Sequence, residues 1–406
     1  MTRRRPPNDR DVAVVVLKMV ADRYSHGELA VMRSLGRCGV DVLSAHPAPR
    51  TPAELSRYAR AHIRIPLGST ETTVTRLIER ASSMRERPVL VPTDDVGALL
   101  VADRADELGE VFRLPAQPAG LALQLADKGH LARLCDTHDI PTPQVTFPKD
   151  RDGAAADAAV LGYPVVIKSM DPRLLRMRPN ARSVVLAHDR DELLEHYDTM
   201  EDTTHPNLML QEYIPGGSES VWMFNGYFDE RSECRVGFTG QKVRQYPRGT
   251  GATSLGICRH NEEVVETTRR MMRAIGYRGI VDMGYRYDER DGRYKLLDVN
   301  PRLGSSFRLF VDDLGLDVVR AMYLDLTGRP VPSQGPYEGR RWLVEPADLW
   351  STAAYRREER LTAGGWLRSV RGVDEYAWFA GDDMKPFLAM ASVFALQPLL
   401  RRVRRG

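Results

Sequence analysis

Residues 296–306 read LLDVNPRLGSS, and they close what should be a buried strand in an unexpected way. Leu296, Leu297 and Val299 suit a sheet interior; Asp298 and Asn300 do not, and Pro301 stops the ladder because it has no N–H to donate. Alternate residues of an extended chain share a face, so Asp298 and Asn300 point one way, Leu297 and Val299 the other. A carboxylate and an amide oxygen on one face suit a hard cation such as Mg²⁺, which also takes phosphate oxygens and water. Upstream, GIVDMGYRYDERDGRYKLLDVN (279–300) reads as a hairpin whose first strand carries Asp282. Asp282, Asp298 and Asn300 are therefore a candidate metal floor. A plain two-residue turn at Asp291-Gly292, which that dipeptide signals, would put Asp282 on the wrong face. The shared floor requires an odd-length loop or a bulge that repairs the parity.

Outward from this hairpin, 406 residues are too many for one ordinary domain. The run DVAVVVLKM (11–19) has the continuous apolar character of a strand buried on both faces. GELAVMRSLGRCG (27–39) has helical spacing at Leu29, Met32 and Leu35, and RPVLVPTDDVGALLVADRADELG (87–109) repeats a strand–turn–helix plan. Residues 1–118 thus read as an α/β domain with a parallel sheet, bounded by Pro115, Pro118 and Gly120. Residues 119–330 alternate helices and strands as an α+β body, with a small lobe at about 145–212, strands over 221–300 and a helix over 307–328. Residues 331–406 form a C-terminal extension.

The net charge of +3 argues against a general nucleic-acid footprint. Cys38, Cys135, Cys234 and Cys258 are scattered with no CxxC pair, which fits a reducing cytoplasm and no structural zinc. FLAMASVFALQPLL (387–400) is too short to cross a bilayer as a helix. Followed by RRVRRG, it reads as a docked terminal helix with a solvated arginine tail, in preference to a membrane-surface contact.

Lys168 ends the buried run PVVIK, and a lysine held at a strand end is a positioned cation for phosphate. Lys128 in LADKGHL stands at a helix start, where backbone amides also favour anions. QEYIPGGSES (211–220) is a strand running into a turn, with Glu212 and Glu219 flanking two glycines. Taken in order, Lys128, PVVIK at 164–168, QEYI at 211–214, Glu219, Asp282 and DVNPR at 298–302 resemble the ATP-grasp superfamily over about residues 120–330. Within it the chain looks most like predicted carboxylate–amine ligases of the carbamoyl-phosphate-synthase-like branch.

The resemblance implies ATP held between two α+β lobes. Lys128 and Lys168 would contact phosphates, Gln211, Glu212, Tyr213 and Ile214 would line the adenine site, and Glu219 would hold the ribose. Asp282, Asp298 and Asn300 would bind Mg²⁺, and Arg302 would face the transferring phosphate. The implied reaction activates a carboxylate as an acyl phosphate and joins it to an amine, an amino acid or small peptide, with release of ADP and phosphate. An ATP-grasp kinase and a non-catalytic nucleotide-binding regulator are the alternatives. Ligases of this type are often homodimers.

Two departures from the family's pattern stand out. Asp298 replaces the usual Glu, and the shorter carboxylate implies loose selectivity, with Mn²⁺ as acceptable as Mg²⁺. The loop after the lysine strand carries Arg173, Arg176, Arg178 and Arg182 in place of glycines. Further candidates come from the residues themselves. Lys242 and Arg244 alternate onto one face of a strand beside the phosphates, with Lys242 a catalytic candidate. Arg308 has the bidentate geometry to clamp a substrate carboxylate. His26 and Asp95, and with less claim Asp94, follow strands of the first domain, where ligands of open α/β sheets gather; capping explains the two aspartates nearly as well.

Overall fold

The computed structural model describes residues 12–22, 24–47, 51–170, 184–201, 206–247, 251–358 and 361–403. Strands β1 (Val14–Leu17), β2 (Val42–Pro47), β3 (Ala59–Ile65) and β4 (Val89–Pro92) form a parallel sheet in the order β3-β2-β1-β4. The central strand β1 is buried at every residue, so its sequence shows no alternation. The Gly27–Gly36 helix packs Leu29, Met32 and Leu35 on this sheet, as its spacing predicts.

A second, antiparallel sheet takes the order β5-β8-β6-β7 from β5 (Val145–Thr146), β6 (Val165–Ser169), β7 (Val184–Ala187) and β8 (Leu208–Glu212). The helices Arg151–Leu161 and Arg190–Met200 pack on it, and Ala154, Ala158, Leu193 and Tyr197 complete a separate small core with Val165, Ile167 and Leu210. The third sheet has seven strands in the order β13-β12-β9-β10-β11-β14-β15. They are β9 (Val221–Phe228), β10 (Cys234–Tyr246), β11 (Ala252–Cys258), β12 (Gly279–Asp288), β13 (Arg293–Asn300), β14 (Arg341–Leu343) and β15 (Glu375–Tyr376). The last two strands belong to the C-terminal residues, which extend the large sheet rather than stand apart from it.

The β12–β13 hairpin resolves the parity problem with a bulge. Its loop, residues 289–292, joins Asp288 and Arg293, which pair directly, and Gly292 is left-handed (φ +70°). Pairs up to Tyr285–Leu296 keep this register; then Leu297 is inserted, and Gly284–Asp298 and Asp282–Asn300 pair in the shifted one. Asp282 is thereby brought opposite Asn300.

One local expectation needs correction. The stretch 307–328 is not one helix: a 3₁₀ turn covers Phe307–Leu309 and the α-helix starts only at Val318. The Asp312 carboxylate accepts from the Leu314 and Leu316 amides, and Asp317 caps the helix through the Arg320 amide, so these side chains hold the intervening turn open. The terminal helix spans Met384–Val403, beginning ahead of the apolar run. Among the described residues no helix is long and apolar enough to cross a membrane.

The C-terminal segment is stapled to the first domain by one buried guanidinium. Arg33, only 2% exposed, donates through Nε to Asp383 Oδ2 (3.0 Å) and through Nη2 to the carbonyls of Trp378 (2.8 Å) and Asp383 (3.0 Å). Asp383 also accepts from the Ser56 hydroxyl (2.7 Å) and the Arg57 amide (2.9 Å). Removing one partner of a buried pair leaves the other charge uncompensated, at about 3–5 kcal/mol. Arg33→Ala is expected to lose stability of that order in urea denaturation, while the conservative surface change Arg60→Ala leaves the midpoint within experimental scatter.

Candidate active site

A cleft of about 580 Å³ lies between the small antiparallel sheet and the large sheet, within the size range of small-molecule sites. Its floor is the bulged hairpin. Asp282, Asp298 and Asn300 all line it, and the Asn300 amide nitrogen lies 3.4 Å from the Asp282 carboxylate. Gly304 makes this packing possible: a Cβ there would stand 2.5 Å from the Asp282 carboxylate carbon. Burial raises the Asp282 pKa, although Arg302 and Lys242 partly offset it. That carboxyl group is short of positive charge. With Asp298 and Asn300 it offers oxygen donors from facing strands, the chemistry a hard divalent cation takes.

Cations converge on the floor from three elements. Lys168 on β6, Lys242 on β10 and Arg302 just beyond β13 line the same cleft. Lys128, at the N-terminus of the Lys128–Thr137 helix, forms an ion pair with Asp298. Burial works against the Asp298 carboxylate, but Lys128, Lys168 and Arg302 outweigh it and hold its pKa below the usual value. Burial lowers Lys168 to about 8, an effect that Asp298 opposes and Lys128 reinforces; its ammonium lies 3.4 Å from the Leu297 carbonyl. Burial lowers Lys242 as well, and its ammonium donates to the Gly251 carbonyl (2.9 Å).

At the other end of the cleft Gln211, Tyr213 and Ile214 form one wall, with Gly216, Gly217 and Ser218 following. Glu212 is not among the lining residues. Its carboxylate is drawn away by Arg290 (2.5 Å), which also grips Asp288, while Lys295 holds Asp288 at 2.6 Å. Those charges fasten the 289–292 loop to β8. Glu219 sits exposed at the rim and accepts from the Gly217 amide (3.1 Å).

Three candidate substrate residues occupy other places. Arg244 does not share the face of Lys242, because β10 bulges between them. It is buried instead, bidentate to Asp348 (2.8 and 3.0 Å). Arg308 is likewise consumed by Asp317 and by Glu375 (2.9 and 2.7 Å). His26 lies half-buried near Trp342 and Trp378, outside the cleft lining, and desolvation lowers its pKa to about 4. The two aspartates of the first domain divide. Asp94 caps the Asp95–Asp103 helix and accepts from the Met19 and Val20 amides, both at 2.8 Å. Asp95 reaches across to Arg302 and ion-pairs with its Nε. The arginines of 173–182 lie outside the described residues.

The cleft also contains Thr253, from the strand that follows Gly251, and residues not singled out from the sequence: Gln245, Gly284, Arg286, Ser305 and Ser306. Arg286 had a readable signal, since it follows Asp282 and Gly284 at the two-residue spacing of one strand face. Gln245 had none, because the β10 bulge that turns it inward has no marker in QKVRQY.

Because Arg308 is fully engaged away from the cleft, Arg308→Ala is expected to cost about 3–5 kcal/mol of stability by orphaning buried carboxylates. Where the variant folds, its affinity for a cleft ligand should remain that of the parent. Urea denaturation and calorimetric titration check the two halves.

No protein-family model matches the chain. It is similar to D-aspartate ligase from Enterococcus faecium (strain Aus0004), with 23% identity over 343 residues and 80% of each chain covered. Among solved structures it is similar to L-amino acid ligase from Bacillus licheniformis, with TM-score 0.57 and 15% identity over 79% of this chain and 75% of that one. It is similar also to carboxyaminoimidazole ribonucleotide synthase from Aspergillus clavatus, solved in complex with ATP, with TM-score 0.60, 14% identity and coverage of 82% and 80%. These likenesses extend over about four-fifths of the chain, which has the ATP-grasp fold.

Proposed function

We propose that this chain is an ATP-dependent, ADP-forming ligase that joins a small carboxylate to an amine, with amino acids or short peptides as the substrate class. The observation that carries this reading is the bulged hairpin. It places two carboxylates and an amide on one floor, with Lys168, Lys242 and Arg302 converging above them. The names of the amino-acid ligases it resembles support the substrate class.

In this reading residues 1–118 are the pre-ATP-grasp domain, about 145–212 the lid lobe and 331–406 an extension. Gln211, Tyr213 and Ile214 flank the adenine, and Lys128 and Lys168 meet phosphates. Asp282, Asp298 and Asn300 hold Mg²⁺ or Mn²⁺, which supplies neutralisation of phosphate charge when bound. A carboxylate is a poor electrophile because oxide is a poor leaving group. Attack of a carboxylate oxygen on the γ-phosphorus breaks the bond to the β-phosphate oxygen and gives an acyl phosphate and ADP. The amine then attacks the acyl carbon, phosphate leaves, and the amine gives up a proton. The chain's own part is positioning and charge stabilisation: Arg302, oriented by Asp95, and Lys242 face the transferring group. Closure over the cleft excludes water that would hydrolyse the acyl phosphate.

Hydroxylamine supplied in place of the amine should be captured as a hydroxamate, detected by mass, whenever the correct carboxylate is present. ADP release with a stable phosphorylated product and no hydroxamate would refute ligation. Arg302→Ala should lower ADP formation about 10²–10³-fold, the cost of losing one transition-state donor.

The lowered pKa of Lys168 gives a pH dependence with a definite sign. Above about pH 8 the free enzyme loses that ammonium charge, so kcat/KM for ATP should fall on the alkaline side. Lys168→Arg, whose guanidinium stays charged, should remove that limb even if its plateau is lower. A profile without an alkaline limb in the parent would detach Lys168 from the phosphates.

A further inference from the structure

Beyond the family-like cluster at its centre, the cleft holds a cation that its own protein leaves under-compensated. Strand β12 pairs with β9 without interruption from Gly279–Phe228 to Arg286–Val221, so Asp282, Gly284 and Arg286 present the same face. All three line the cleft. Gly284 contributes no side chain, and a Cβ built there would meet nothing within 4 Å, so the floor is open between the metal end and Arg286.

Arg286 is only 8% exposed. Its Nη2 donates to the Gly216 carbonyl at 2.5 Å, and its guanidinium carbon lies 5.6 Å from the centre of the Tyr213 ring. Its Nε has no hydrogen-bond partner, and among the described residues no carboxylate lies within ion-pairing distance. Burial lowers its pKa accordingly, with Tyr213, Glu219 and Asp288 only partly offsetting it. A buried guanidinium that lacks a counter-charge and leaves one donor unused is costly to keep. The feature makes physical sense if a ligand supplies the acceptor.

We infer that Arg286 binds the nucleoside part of the nucleotide, donating its Nε–H to an acceptor on the ribose or base and offering its planar face to the purine. This rests on the reading of the cleft as an ATP site and adds a residue and a contact to it. The position favours nucleoside over phosphate. Arg286 lies four residues along β12 from Asp282, on the order of 13 Å between backbones, and its neighbours are Tyr213 and Gly216 of the opposite wall. A guanidinium beside an aromatic ring stacks readily on a further π-face, which a purine provides.

Calorimetric titration of the full chain with ADP and with AMP tests this. Arg286→Met should weaken both nucleotides by the same factor, at least about tenfold for the loss of a charge-assisted hydrogen bond. Arg286→Lys, which keeps the charge but not the plane or the Nε–H, should recover only part of that. In turnover the KM for ATP should rise with little change in kcat or in the KM of the amine. Should Arg286→Met fail to fold, Arg286→Lys carries the same comparison. Unchanged ADP affinity in a folded variant would overturn the inference and make Arg286 a tie for residues 213–217, with the ATP-site reading left standing. Weakened ADP but unchanged AMP would place the contact on the β-phosphate and also overturn it. A parent chain that binds neither nucleotide would overturn the ATP-site reading, and this inference with it.

Discussion

One inserted residue, Leu297, decides whether this cleft has chemistry. Side chains on a strand alternate strictly, so the register of β12 against β13 determines which groups meet above the sheet. With the outer register continued inward, Asp282 would sit opposite Val299 and face away from Asp298. The bulge moves the pairing by one and sets Asp282 against Asn300. The outer half keeps its own register and spends its charges differently: Asp288, Arg290, Lys295 and Glu212 form a network that fastens the loop to β8. One hairpin thus has a structural half and a reactive half, divided at Leu297.

The same division explains the fate of the charged candidates. Residues whose alternation is unbroken, such as Asp298 and Asn300, could be placed on a face from the sequence alone. Arg244 could not, because the β10 bulge between it and Lys242 carries no glycine or proline to announce it. Glu212 was misleading for another reason. Its partners Arg290 and Lys295 lie about 80 residues away, and long-range ion pairing leaves no local signature. The four-residue loop defeated the Asp-Gly signal because the Asp288 carboxylate and its cations stabilise the wider turn, although Gly292 is left-handed as a turn glycine should be.

Much of the fold was legible because it depends on local patterns. The continuous apolar run of β1 announces a parallel sheet, and helical spacing at Leu29, Met32 and Leu35 announces the helix on it. The shape of the C-terminal residues was not legible, since β14 and β15 are three and two residues long and are defined by what they pair with. Arg308 joins that group. Its proximity to the DVNPR motif suggested a substrate clamp, whereas Asp317 and Glu375 take it for the core.

The staple at Arg33 bears on how the chain comes to be made. Its carboxylate partner, Asp383, lies 350 residues further along the polypeptide. During synthesis the first sheet and its helix emerge long before that partner exists, so the guanidinium keeps its water until residue 383 has been made. The Arg33 contact therefore closes late, although its helix is synthesised early. A chain cut short of Asp383 leaves Arg33 a buried cation with no carboxylate, so the effect of a truncation at one end is felt on the helix at the other.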